Sequence, residues 1–137
     1  MIKNVSPGKE IAVRVLNEVG VLAKITSFLV NHGINVKAIS GVATPIGEAA
    51  ELVFVTDNNF AAVDALSNHG HQVSEHDILL VELENTPGAL KNISEILAQS
   101  EVNINYLYAT TCSGGCPTLI ILSTSDNAHA LDLLQAR

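Results

Sequence analysis

The chain has 137 residues, of which 47% are hydrophobic and 15% charged, so it carries ample material for a core and lacks the composition of a disordered chain. A formal net charge of -7 without any run of lysine or arginine argues against a nucleic-acid partner, whose phosphates need clustered cations. The longest apolar stretches, such as Leu119 to Leu122, are strand-sized rather than the roughly 20 residues of a membrane helix, and Met1-Ile2-Lys3-Asn4 does not begin a signal peptide, so a cytoplasmic, soluble protein is expected.

After a leader of residues 1–8, period-2 alternation at Ile11, Val13 and Val15 predicts a strand with one face on a core. A glycine turn follows, and Leu22, Ile25, Phe28 and Leu29 recur at helical spacing. Ile34 to Val42 is β-rich and enters the turn signal Thr44-Pro45-Ile46-Gly47, after which Leu52-Val53-Phe54-Val55 predicts the returning strand of a hairpin. Asn59 to Asn68 has the pattern of a short amphipathic helix, and a closing strand is predicted near His71 to Ser74.

The same order then begins again. Gly88 repeats Gly20 at a shift of 88 − 20 = 68 residues, and the register holds without a gap to the C-terminus, through Val13/Val81, Asn17/Asn85, Leu22/Leu90, Ile25/Ile93, Leu29/Leu97, Asn35/Asn103, Thr56/Thr124, Asp64/Asp132 and Leu66/Leu134. The second copy supplies strands at Leu79-Val81-Leu83, Val102 to Thr110 and Leu119 to Leu122, a first helix through Leu90, Ile93 and Leu97, and a second over Asp126 to Gln135. The expected architecture is therefore α+β: two ferredoxin-like βαββαβ repeats in tandem, residues 9–75 and 76–137, each with an antiparallel sheet and its helices on one face. At the same shift the second repeat's closing strand falls beyond Arg137, so its edge strand is either bare or covered by another segment, with Ile2 to Ser6 as a candidate. The returning strands are apolar at consecutive positions, which places hydrophobes on both sheet faces. Each buried Leu or Ile is worth roughly 1.5 to 3 kcal/mol, so a covering layer is expected, most simply from a homodimer joined through sheets.

The turns between first strand and first helix, Asn17-Glu18-Val19-Gly20-Val21-Leu22 and Asn85-Thr86-Pro87-Gly88-Ala89-Leu90, together with Gly33-Ile34-Asn35-Val36 and Glu101-Val102-Asn103-Ile104, resemble the signature elements of the ACT-domain family. The likeness spans nearly the whole chain, twice, and is to small stand-alone tandem ACT proteins and, less closely, to the regulatory modules of amino-acid biosynthetic enzymes. The sequence departs from the family pattern at Asn17 and Asn85, often aspartate there, at Val19 in place of proline, and at Glu101 in place of glycine. The resemblance implies a non-catalytic regulatory protein that binds an amino acid at the interface between ACT repeats, through the two turns and Asn35 and Asn103, with no cofactor. It leaves open a regulatory subunit that docks on an amino-acid metabolic enzyme.

The residues of the turns support binding on their own terms. A glycine just before a helix admits close backbone approach, free N–H groups there attract a carboxylate, and asparagines offer both donor and acceptor to a zwitterion. The same residues also fit a structural role: Thr86-Pro87 reads as an N-cap with proline at the first helical position, Asn17 as another cap, Glu18 as a charge suited to a helix N-terminus, and Asn35 and Asn103 as turn residues. Cys112 and Cys116 flank a predicted loop closely enough for a disulfide or a soft metal, and His69, His71 and His76 cluster at the junction, which keeps a transition-metal or redox-responsive domain as the alternative. The chain carries no nucleophile elbow, phosphate-binding loop, zinc-protease helix or dinucleotide fingerprint, and no catalytic or metal residues are assigned.

Overall fold

The computed structural model describes residues 1–41 and 44–137, so Val42, the last residue of the predicted second strand, lies outside the described residues. In chain order the elements are β1 (Ile2–Leu16), α1 (Val21–Val30), β2 (Val36–Gly41), β3 (Ala49–Thr56), α2 (Asn59–Asn68), β4 (Gln72–Leu83), α3 (Ala89–Gln99), β5 (Ile104–Thr110), β6 (Thr118–Thr124) and α4 (Asn127–Gln135). The fold is α+β and ferredoxin-like, with antiparallel strand pairing and four helices among the described residues. No helix is long and apolar enough to cross a membrane among these residues.

Two predicted boundaries move. The leader and the predicted first strand are one strand, β1, and the predicted closing strand near His71 runs on without a break through the strand predicted at Leu79-Val81-Leu83 as β4. Each long strand is divided between two compact units, Lys9–His76 and Met1–Gly8 with Asp77–Arg137.

In the Lys9–His76 unit the strands neighbour one another in the order β2-β3-β1-β4, with Ile11 opposite Phe54 and Val13 opposite Leu52 in the β1/β3 ladder. Its core joins Ile11, Val13 and Phe54 of the sheet to Ile25 and Leu29 of α1 and Ala62 and Leu66 of α2, so both helices pack on one sheet face. In the second unit the order is β5-β6-β4-β1, and Leu79, Val81, Leu83, Ile120 and Leu122 meet Ile93 and Leu97 of α3 and Ala130 and Leu134 of α4. The strand that the 68-residue shift sends beyond Arg137 is supplied here by residues 2–8: Val5 is 7% exposed within this core, its carbonyl accepts from Gln135 Nε2 at 3.4 Å, and the Met1 carbonyl accepts from the Glu84 N–H at 2.8 Å. Gly8 of the same strand packs closely enough that a Cβ there would stand 3.0 Å from Leu80 Cδ1.

Local bonding repeats at the same shift. Asn59 Oδ1 accepts from Thr56 N and Oγ1 at 3.1 and 2.7 Å, and its Nδ2 reaches the Lys9 carbonyl at 2.8 Å. Asn127 does the same with Thr124 at 3.0 and 2.7 Å and with the Asp77 carbonyl at 3.0 Å. Register shifts fall at Val36/Ala38 and at Ile104/Tyr106, again corresponding positions.

On the second sheet face, which the returning strands were expected to fill, Ile121 and Val55 are buried within a single chain while Val53 and Leu119 are half-buried.

Candidate functional site

The two helices of each unit begin differently. α2 is capped by Asn58, whose Oδ1 accepts from the Ala61 N–H at 3.1 Å, and α4 by Asp126, whose Oδ1 accepts from the His129 N–H at 3.0 Å. α1 and α3 begin instead at Gly20 (φ 86°) and Gly88 (φ 90°), both left-handed, and no side chain caps either helix. The capping roles anticipated for Asn17 and Thr86 are therefore not taken up: glycine occupies both cap positions, because the chain must turn through a positive φ to enter the helix. The first helical N–H is bonded within the turn, Val21 to the Glu18 carbonyl at 3.2 Å and Ala89 to the Thr86 carbonyl at 3.3 Å, and the next ones, of Leu22 and Ala23 and of Leu90 and Lys91, have no capping side chain; such groups attract negative charge.

In the Lys9–His76 unit this turn opens onto a cleft of about 310 Å³ lined by Arg14, Val15, Leu16, Glu18, Val21, Lys24, Ala49 and His71. Glu18 and Val21 of the predicted turn are in the lining, while Val19 and Leu22 are exposed and Gly20, the cap of α1, is outside it. Asn17 acts as a latch for the hairpin between β2 and β3: its N–H donates to the Glu48 carbonyl at 2.8 Å, its carbonyl accepts from the Gly47 N–H at 2.7 Å, and its Nδ2 donates to the Thr44 carbonyl at 2.6 Å. Asn35 stands elsewhere. Its N–H donates to Asp57 Oδ1 at 3.0 Å and its carbonyl accepts from the Asp57 N–H at 3.1 Å, at the far end of α1, about 15 Å from the turn at the helical rise.

Arg14 and Lys24 were not singled out from the sequence, and His71 only as one of the junction histidines, since the three stand far apart in the chain on β1, on α1 and just before β4. His71 is half-buried, and its buried Nε2 has no hydrogen-bond partner. Its pKa lies below the ordinary value of 6.5, first because burial disfavours the imidazolium and then because the Lys24 ammonium and His69 lie nearby. Neither Arg14 nor Lys24 takes part in an ion pair among the described residues.

In the second unit Asn85, Thr86 and Gly88 are all exposed. Thr86 donates its N–H to the Glu84 carbonyl at 2.9 Å, and its own carbonyl accepts from Ala89 N at 3.3 Å. Pro87 is exposed, Ala89 is buried in the core, and Leu90 is 48% exposed. Met1 lies over this turn, its Cε 3.5 Å from the position a Cβ on Gly88 would occupy and its ammonium 3.6 Å from Glu84 Oε1. Asn85 makes none of the latch bonds of Asn17 among the described residues. Asn103 lines a separate cleft of about 390 Å³ with Ser94, Ala98 and Glu101, donates its N–H to Ser125 Oγ at 2.9 Å and its Nδ2 to Asn105 Oδ1 at 3.0 Å.

The metal candidates disperse, while the two cysteines come together. The His69 ring stacks on Phe28 at 3.9 Å and its Nδ1 bonds the Ala65 carbonyl at 2.7 Å, while His76 Nδ1 lies 3.4 Å from Glu10 Oε2. Among the described residues no three potential ligands converge, and Cys112 and Cys116 are joined as a disulfide, which leaves neither thiol for a metal.

Comparison with known proteins agrees with this fold. The family model of the ACT domain matches residues 9–66. Among solved structures, protein BT0572 from Bacteroides thetaiotaomicron superposes with a TM-score of 0.88 at 21% identity over 98% of this chain and 90% of that one. The ligand-free regulatory subunit of aspartate kinase from Thermus thermophilus gives 0.69 at 17% identity over 98% and 97%. That from Thermus flavus gives 0.66 at 20% identity, with the same coverage. No curated protein sequence matches the chain.

Proposed function

We propose that the chain is a non-catalytic sensor built of two ACT units in tandem, which binds an amino acid at the turn before a first helix and presents a different surface when occupied. One observation carries the reading: in each unit the second helix is capped by a side chain while the first is left open behind a left-handed glycine. An uncapped helix start beside a cleft seats a ligand carboxylate on backbone N–H groups. The ACT model over residues 9–66 supports this for the first unit, and the bonding repeated at Asn59 and Asn127 extends it to the second.

Asn35 and Asn103 lie too far from the turn of their own unit to share its ligand, so their role in the proposal is to complete the site of another copy in a homodimer. Exposed Ile39 on β2 and Tyr106 and Leu107 on β5, strands that end the strand order, supply apolar surface for such a contact. Regulation reaches a downstream enzyme only if the ligand binds two conformations with different affinity.

The test is a thermal-shift screen of the purified chain against the common amino acids, with nickel and zinc as controls. A ligand at about 100 times its dissociation constant adds roughly 2.7 kcal/mol to stability, so a selective rise with one or two amino acids is expected. A rise with metal alone overturns the proposal. Gly20→Val forces a β-branched residue into a left-handed turn and is expected to abolish the selective rise; an unchanged shift would move the site away from this turn.

A further inference from the structure

The Lys9–His76 cleft has a charge that its counterpart in the second unit does not share, and this points to a ligand class. The whole chain holds seven lysines and arginines against fourteen acids, yet two of the seven, Arg14 and Lys24, line this one cleft without forming an ion pair among the described residues. Beside them His71 presents a buried Nε2 that has no partner. Glu51 stands opposite Arg14 in the β1/β3 ladder but is not within ion-pair distance of it. With His71 neutral, the two cations and Glu18 give the lining a net charge of one positive unit.

We infer that the Lys9–His76 cleft takes an α-amino dicarboxylic acid, with Arg14, Lys24 and His71 reading the side-chain carboxylate. This rests on the reading of the turn as a carboxylate seat: the α-carboxylate meets the open N–H groups behind Gly20, and Glu18 faces the ammonium. The second carboxylate then falls to the cations, where a guanidinium offers a paired donor geometry and an imidazole N–H or imidazolium adds a third contact. The ligand carries one net negative charge at neutral pH and so complements the cleft.

The second unit is not built for the same ligand. At the 68-residue shift Arg14 becomes Glu82 and Lys24 becomes Asn92, so the two cations are replaced by an acid and an amide. Met1 also lies over its turn. One acidic amino acid per chain follows.

Isothermal titration of the full chain with L-aspartate and L-glutamate, each beside its uncharged amide, L-asparagine or L-glutamine, tests this. The expected result is one site per chain and an acid bound at least about tenfold more tightly than its amide, the size of one hydrogen bond to a charged group. Arg14→Gln and Lys24→Gln, both at exposed positions that leave the core intact, should each remove most of that preference, and circular dichroism checks that the fold is retained. If a neutral or basic amino acid binds instead, and Arg14→Gln does not weaken it, the acidic assignment fails while the sensor reading stands. If no common amino acid binds, both fail. Two equivalent sites per chain would overturn the restriction to one unit.

Discussion

Glu101 and Gly33 show the repeat enforcing a backbone conformation against the residue type. Both stand just past the first helix of their unit with positive φ, 57° and 69°, and both ends close in the same way. Ile34 N–H bonds the Leu29 carbonyl at 3.0 Å and Val102 N–H bonds the Leu97 carbonyl at 2.9 Å, the wide bond of a Schellman termination. The left-handed conformation costs a non-glycine residue about 1–2 kcal/mol, less the unfolded-chain entropy that glycine adds, about 0.4–1 kcal/mol. Glu101→Gly is therefore expected to stabilise the chain by up to about 1 kcal/mol in urea denaturation, and Gly33→Ala to destabilise it by a similar amount. His71 supplies a pH dependence with the opposite sign to a salt-bridged histidine. Its folded pKa is lowered, so the unfolded chain binds more protons, and the stability present above about 6.5 is lost as pH falls through the unfolded value toward the folded one. The melting temperature should drop between about pH 7.5 and about pH 5.5, and the drop should shrink in His71→Asn.

At the level of elements, the first and second helices of each unit have been given different work. Asn58 and Asp126 close α2 and α4, and their replacement by alanine should cost about 1 kcal/mol each, read by denaturant melts. Thr86→Ala should cost nothing through capping, because its hydroxyl caps no helix; a loss as large as that of Asp126→Ala would show that α3 is closed by a side chain after all. Helix and strand identity was legible because the apolar periods of 3.6 and 2 are local, and α2, predicted at Asn59 to Asn68, occupies those residues. The cap at Gly88 was less legible. Thr86-Pro87 has the residue types of a helix start, and only the backbone geometry shows that the helix begins two residues later.

For the whole molecule, β1 and β4 each serve two units, and residues 2–8 finish the core of residues 77–137. Deleting residues 1–8 removes Val5 from that core and bares the edge of β4, so the truncated chain is expected to aggregate, as measured by light scattering. In the intact chain, amide exchange at residues 2–8 should be as slow as in β6, and rapid exchange there would contradict the shared strand.

The sequence by itself determined the βαββα order, its repetition at 68 residues, the glycine turns and the absence of a recognisable catalytic signature, because periodicity, turn chemistry and spacing are properties of neighbouring residues. The tertiary structure alone decided that residues 2–8 close the second unit, that Ile121 and Ile78 are already dry within one chain, and that Arg14, Lys24 and His71 share a cleft. Those three lie on β1, on α1 and just before β4. Pairing between distant strands brings them together, and no local pattern records which strand will be the neighbour.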